Sequence, residues 1–182
     1  MFEITTDALV IDREELGEQD SRVFLYTKEL GGVMARGTSM RKITSKLSAH
    51  LEPLRFARVR LLQRGRGDSG SFQIADAVTM DNCREWHKKP EALRIGLKLT
   101  RLFKEAGFRG DADRMLWEEI FNMFTAPPEE PFNKYGARFL TAIGFDPRGA
   151  ACIRCGAARP KLFSINDLGF ICEVCVDGHN FV

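Results

Sequence analysis

The chain has 182 residues, 44% of them hydrophobic and 29% charged, with a formal net charge of +2. This balance allows a sizeable core and excludes a disordered or low-complexity protein, and no run approaches the eighteen apolar residues of a membrane span. The start, Met1-Phe2-Glu3-Ile4-Thr5, shows neither the basic residues nor the apolar run of a secretion signal, so the expectation is a cytoplasmic protein with no membrane partner.

The first eighty residues read as strands and turns. Ala8-Leu9-Val10-Ile11 is a continuous apolar run, as in a strand buried on both faces. From Arg22 to Lys28 the pattern alternates, with Val23, Leu25 and Thr27 on one face and Arg22, Phe24, Tyr26 and Lys28 on the other. Gly31-Gly32 marks a turn and residues 33–36 resume an extended run. Residues 55–64 alternate again: Ala57, Val59 and Leu61 face one way, Phe56, Arg58, Arg60 and Arg64 the other. Residues 72–78 supply a fifth strand after a glycine-rich turn, and residues 41–50 form a longer, partly helical connection between the third and fourth. Five short strands in this arrangement predict a small barrel of OB type.

Beyond residue 84 the period becomes helical. Ala92, Ile95, Leu99, Leu102, Phe103 and Ala106 recur at helical spacing up to Gly107. A second helix over residues 112–124 is predicted to bury Met115, Leu116, Ile120, Met123 and Phe124, with Asp111 or Asp113 as its cap. Pro127 and Pro128 break the chain, and Pro131 suits the first turn of a third helix. That helix carries Phe132, Tyr135, Phe139, Leu140 and Ile143 and ends at Gly144; such stripes are helix–helix core and not a cofactor box. The expected class is α+β: an OB-fold barrel over 1–80, a short all-α domain over 81–150, and a zinc ribbon over 151–182 packed on the helices.

The ribbon rests on two CxxC pairs, Cys152/Cys155 and Cys172/Cys175, sixteen residues apart. Thiolates three positions apart in a turn converge at about 2.3 Å from Zn²⁺, and Gly156 supplies the turn after the first pair. The competing reading is four buried or redox-active thiols. Four cysteines leave no open position for water, so one structural Zn²⁺ is expected. The ribbon's own charges, Arg154, Arg159 and Lys161 against Asp167, Glu173 and Asp177, balance; it reads as a staple for a module with few apolar residues, not as a phosphate reader. Cys83 stands apart as a small buried side chain.

The net charge conceals an asymmetry. Residues 1–35 hold eight acids and three bases; residues 36–66 hold nine bases, mostly arginine, against Glu52 alone. Like charges so dense repel unless a polyanion or salt screens them, and arginine suits bidentate phosphate contact. A solvated cationic face is the competing reading. On the strand from Arg55 to Arg64, outward cations recur about 7 Å apart, close to the phosphate repeat of an extended strand. The expected DNA-binding set is Arg36, Arg41, Lys42, Lys46, Arg58, Arg60, Arg64 and Arg66, with His50 near phosphate. Phe24 and Tyr26 are candidate stacking platforms for bases; packing against the helices or the connection is the alternative for both rings.

No catalytic constellation is visible. His50, His87 and His179 are scattered, the latter two expected at the surface, and the adjacent acids Glu14-Glu15 and Glu129-Glu130 point apart. Gly65-Arg66-Gly67-Asp68-Ser69-Gly70 matches a dinucleotide fingerprint, but it joins two strands where that fingerprint needs a following helix. The chain is therefore not expected to be an enzyme.

Several blocks resemble the bacterial RecO recombination-mediator proteins: residues 8–20, residues 25–32, the Ala35-Arg36-Gly37 turn, the basic-serine stretch Arg41, Lys42, Ser45 and Lys46, Leu51-Glu52-Pro53-Leu54, and the cysteine module with Phe163, Ser164 and Gly169. The resemblance implies an OB-fold domain, a helical domain and a cysteine-ligated zinc module. It also implies binding of single- and double-stranded DNA, annealing of complementary strands, and help in loading RecA with RecR in the RecF pathway, at the nucleoid. Implied partners are RecR and the acidic, hydrophobic C-terminal tail of single-stranded-DNA-binding protein, with RecA reached indirectly. The helical section is shorter than is usual in the family, and little follows Cys175. Two other readings stand beside it: an OB-fold and zinc-ribbon module for RNA, and a non-enzymatic protein-interaction adaptor.

Overall fold

The computed structural model describes residues 2–64, 71–80, 82–108 and 110–176, apart from the side chain of Arg64. Five strands, β1 (Phe2–Leu16), β2 (Asp20–Thr27), β3 (Gly31–Gly37), β4 (Arg55–Arg64) and β5 (Ser71–Thr79), close into a barrel in the order β1-β2-β3-β5-β4. Only the short β3–β5 seam, Ala35 with Phe72 and Arg36 with Gln73, is parallel. Closure depends on β1, whose first part pairs with β4 up to Val10 while residues from Ala8 onward pair with β2. A bulge between Val10 and Asp12 lets one strand turn that corner. The OB-type barrel expected from strand count and spacing is the observed one.

Val10, Val23, Leu25, Ala57, Val59, Leu61 and Ile74 fill the barrel. The opposite faces of β1, β2 and β4 are also apolar: Leu9, Ile11, Phe24, Tyr26 and Phe56 point outward into a second core. That core is completed by α1 (Arg84–Lys88), α2 (Pro90–Ala106), α3 (Arg114–Thr125) and α4 (Phe132–Ala142). Tyr26 meets Phe103 with ring centroids 4.8 Å apart, and Phe56 meets Trp117 at 5.7 Å. Buried Trp86 donates its indole N–H to the Ala126 carbonyl at 3.1 Å. A polar pin crosses the same junction: Lys104 lies 4.1 Å from the centre of the Phe24 ring and bonds Asp12 at 2.7 Å and Glu14. Partial burial opposes its charge, but the two carboxylates prevail and raise its pKa.

Helix starts follow local chemistry. Of the two candidate caps for α3, Asp113 serves, accepting from the Met115 and Leu116 amides at 2.8 and 3.1 Å. Met115 corrects the expected stripe. It is 84% exposed, because the buried face of α3 runs through Leu116, Trp117, Ile120, Met123 and Phe124. The cysteine ribbon adds β6 (Leu162–Ser164) and β7 (Gly169–Ile171). It docks on the helical core through Phe163, whose ring lies 4.9 Å from that of Phe145. Among the described residues, no helix is long and apolar enough to cross a membrane.

The start of β3 shows how closely barrel and helices fit. Gly32 donates to the Gly110 carbonyl at 3.3 Å, and a Cβ on Gly32 would stand 1.7 Å from the Phe108 carbonyl oxygen. Gly32→Ala should therefore cost about 1–3 kcal/mol or more. Gly110→Ala, whose added carbon meets nothing within 4 Å, should stay within about 0.5 kcal/mol. Urea unfolding midpoints of the two variants provide the comparison.

Candidate nucleic-acid interface and metal centre

Strand register decides the electrostatics of the barrel. Asp7 lies directly opposite Arg58 in the β1–β4 ladder, and the Arg58 Nε donates to Asp7 at 2.8 Å. That bond holds the guanidinium pKa above its usual value. Arg60 reaches Glu3 at 3.2 Å, Arg41 reaches Glu15 at 3.1 Å, and the Arg36 Nε donates to Asp20 at 2.8 Å. The expectation of a mutually repelling cationic patch is corrected here. The acidic first third and the basic second third of the barrel sequence interleave in space, and carboxylates screen the arginines. These pairs remain open to solvent, with 39–62% of each arginine side chain exposed, and exposed pairs hold weakly in water.

The connection between β3 and β4 carries further cations of the expected set. Its start is clamped by the β1–β2 turn: Asp20 accepts from the Ser39 amide at 2.8 Å, and the Arg41 amide donates to the Gln19 carbonyl at 3.0 Å. The Ser39 bond, followed by that of Arg36, holds the Asp20 carboxyl below the usual carboxylate range. A depressed folded-state pKa means this clamp is intact at neutral pH and is lost only as pH falls through that lowered value. Lys42 and Lys46 project from the clamped segment, exposed and without an ion pair among the described residues. A cleft of about 680 Å³ opens here, lined by Arg41, Lys42, Ile43 and Ser45 and by Arg13 and Glu15 from β1. Ile43 is fully exposed. Sequence reading passed over it, although an apolar residue isolated between Lys42 and Lys46 is a readable signal. His50 ties the far end of the connection to β5, its Nδ1 2.9 Å from the Thr79 hydroxyl. Arg66 lies outside the described residues, as do the glycine-rich hairpin around it and His179; the side chain of Arg64 is likewise not described.

Phe24 and Tyr26 are not available to bases. They are 7% and 1% exposed: Phe24 packs on Phe108 and Lys104, Tyr26 on Phe103 and Trp117. Burial pushes the Tyr26 hydroxyl pKa up. Their alternation in β2 identifies a face outside the barrel, but that face meets a second protein layer and not solvent.

Four sulfurs do converge. Cys152, Cys155, Cys172 and Cys175 offer ligand atoms all within 4.8 Å of one another, and the Cys155 and Cys172 sulfurs are 3.6 Å apart. Tetrahedral thiolates at about 2.3 Å from an ion stand about 3.8 Å from each other, so the donor set fits one closed metal site. Backbone amides orient it: those of Cys172, then Cys155 and Arg154, hold the Cys152 thiol down at about 6. Crowding by the Cys155 and Cys172 thiols pushes Cys175 up to about 12. Gly156, at φ +74°, makes the turn that brings the first pair back, and its amide donates to the Cys152 carbonyl at 2.8 Å. Arg154 is occupied structurally, donating to the Cys175 carbonyl at 2.9 Å and pairing with Asp167, while Lys161 pairs with Glu173. The ribbon thus presents few uncommitted cations.

An OB-type barrel sharing one wall with a small helical layer, with four converging cysteines beyond it, defines a barrel protein with a cysteine module whose sulfurs could hold one metal ion. The family model described as recombination protein O N terminal matches residues 1–80. Proteins named DNA repair protein RecO are similar over nearly the whole chain. The one from Dehalococcoides mccartyi is 39% identical, over 93% of this chain and 69% of the relative. Those from Bacillus pumilus and Desulforudis audaxviator are 28% and 26% identical, over 94% and 97% of this chain and 68% and 72% of theirs. The chain belongs to the RecO family.

Tyr26→Ala should lower stability by about 3–5 kcal/mol, as for other buried aromatic truncations, measured by urea denaturation. Tyr26→Phe, which keeps the ring, should leave any nucleic-acid affinity unchanged in a binding titration; a loss there would return Tyr26 to the interface.

Proposed function

We propose that this chain acts in DNA repair and homologous recombination by binding single- and double-stranded DNA, annealing complementary strands and helping to load RecA together with RecR. Membership of a family whose relatives are named DNA repair proteins carries the reading. The charge arrangement supports it. Lys42 and Lys46 offer positive charge without an ion pair among the described residues, and the solvent-open Arg36, Arg41, Arg58 and Arg60 can exchange a carboxylate for a phosphate. Annealing needs no bond chemistry, only relief of phosphate repulsion with the bases left accessible. The cleft of about 670 Å³ between α3 and α4 has an apolar wall of Met115, Leu116 and Ala137 that suits the hydrophobic part of the tail of single-stranded-DNA-binding protein. Asp113 and Glu119 also line it, and the lining cation Arg138 pairs with Glu119 at 2.7 Å, so an acidic tail would have to displace that carboxylate. The metal in this reading is one structural Zn²⁺ that holds the ribbon against the helices and takes no part in DNA contact.

Affinity for a single-stranded oligonucleotide should fall steeply with salt, by about 0.7 in slope of log K against log salt for each phosphate neutralised. The double variant Lys42→Ala/Lys46→Ala should flatten that slope. Asp7→Asn and Glu3→Gln should steepen it by releasing Arg58 and Arg60. Salt-independent affinity would overturn the reading, and equal or tighter binding of matched RNA would move it to an RNA module.

Elemental analysis should find one zinc per chain, lost in Cys155→Ser. Zinc binds thiolates, so affinity should drop as pH falls and the sulfurs protonate. Release followed by loss of ribbon structure, with the barrel's DNA affinity largely kept, is the expected sequence.

A further inference from the structure

Where β5 leads into α1, Arg55, Thr79, Asn82, Cys83, Arg84 and His87 line a cavity of about 100 Å³. Arg55 is the unusual member. Arg13, Arg22, Arg36, Arg41, Arg58 and Arg60 each lie within 3.7 Å of a carboxylate oxygen. Half-buried Arg55 has no such partner among the described residues, and its Nε is fully enclosed without a hydrogen bond. An enclosed N–H donor without a partner is costly, and on a cation without a carboxylate neighbour among the described residues an anion would satisfy it best.

The lining suits that ligand. None of these six residues is acidic. Burial pushes the Cys83 thiol up to about 12, so it adds no negative charge. The His87 Nδ1 donates to the Cys83 carbonyl at 2.9 Å, which leaves its Nε2 as the other ring nitrogen. The half-buried Asn82 carboxamide makes no hydrogen bond with the described residues and supplies an N–H₂ donor. Size decides what enters: about 100 Å³ is the volume of roughly three waters, below the ~300–1,000 Å³ of ligand pockets. A base or nucleoside is excluded, and a single tetrahedral oxyanion is not.

We propose that this cavity seats one phosphate group, gripped by the Arg55 guanidinium, at the joint between barrel and helices. Resting on the nucleic-acid reading above, its source is a phosphodiester of a bound strand. Thr79 borders both this cavity and the groove that holds Arg58 and Arg60, so a strand laid along that groove arrives at Arg55. The site would then fix where the strand passes from the barrel towards the helical layer.

The test uses the full chain with two probes, a fluorescent single-stranded oligothymidylate and inorganic phosphate. Arg55→Gln, with its fold checked by circular dichroism, should flatten the salt slope of oligonucleotide binding by about 0.7, one phosphate's share. Arg55→Lys should keep the slope but bind more weakly, because it keeps the charge and loses the planar fork. Inorganic phosphate should raise the melting temperature of the wild type and not of Arg55→Gln. A lost phosphate response with an unchanged slope would support the seat and assign it to free phosphate. If Arg55→Gln folds and changes neither response, the proposal is overturned; if it does not fold, Asn82→Ala carries the same comparison. Absence of oligonucleotide binding by the wild type would refute the DNA reading alone, since the phosphate arm still tests the cavity.

Discussion

The shared wall between barrel and helices is the constraint on which the other features depend. Where they meet the helices, β1, β2 and the start of β4 carry apolar side chains on both faces. Leu9, Phe24, Tyr26 and Phe56 must therefore be covered from outside as surely as Val10, Leu25 and Val59 are covered from within. The helices supply that cover with Phe103, Trp117 and Ile120, and Lys104 fastens the edge through Asp12, Glu14 and the Phe24 ring. One consequence is positional. With this wall closed, the β3–β4 connection and the groove along β4 and β5 stay open on the barrel, and Arg41, Lys42, Lys46, Arg58 and Arg60 lie there.

A second consequence concerns charge. A closed antiparallel sheet brings segments far apart in sequence into register, and here it sets Asp7 against Arg58 and Glu3 near Arg60. The surface is prepaired, not bare. In the proposed DNA-binding role each phosphate would displace a carboxylate from an arginine that is itself open to solvent, where such pairs hold weakly. Lys42 and Lys46 make no ion pair among the described residues, although Lys42 acts on Asp20 at longer range, and half-buried Arg55 likewise has no carboxylate partner among them.

The ribbon solves a different problem. Two three-residue strands cannot hold a fold by themselves, and this module is secured at one end by Phe163 in the helical core and at the other by four converging sulfurs. Its charged side chains are largely spent on one another and on backbone carbonyls, which sets the staple apart from the proposed binding surface.

Much of this was readable in the sequence, because period and spacing are local properties. The alternation in β2 and β4, the double-sided run at residues 8–11, the aromatic stripes of α2 and α4 and the cysteine spacing all appear in the structure where they were expected. The readings that failed were those that depended on what lies opposite a face. Alternation placed Tyr26 and Phe24 outside the barrel but could not tell a helix layer from solvent. The basic run looked self-repelling because the carboxylates that pair with Arg36, Arg41, Arg58 and Arg60 arrive from other segments of the barrel. Met115 was placed on a buried stripe because the rotation of α3 is set by its contacts with the barrel and α4. The amino-acid sequence by itself determined the elements, the barrel and the metal-ligand set, since backbone geometry and ligand spacing act over a few residues. Only the tertiary structure decided which aromatics are core, which arginines are paired and that Arg55 has no carboxylate partner among the described residues, since pairing and burial arise between segments that meet only when the sheet closes.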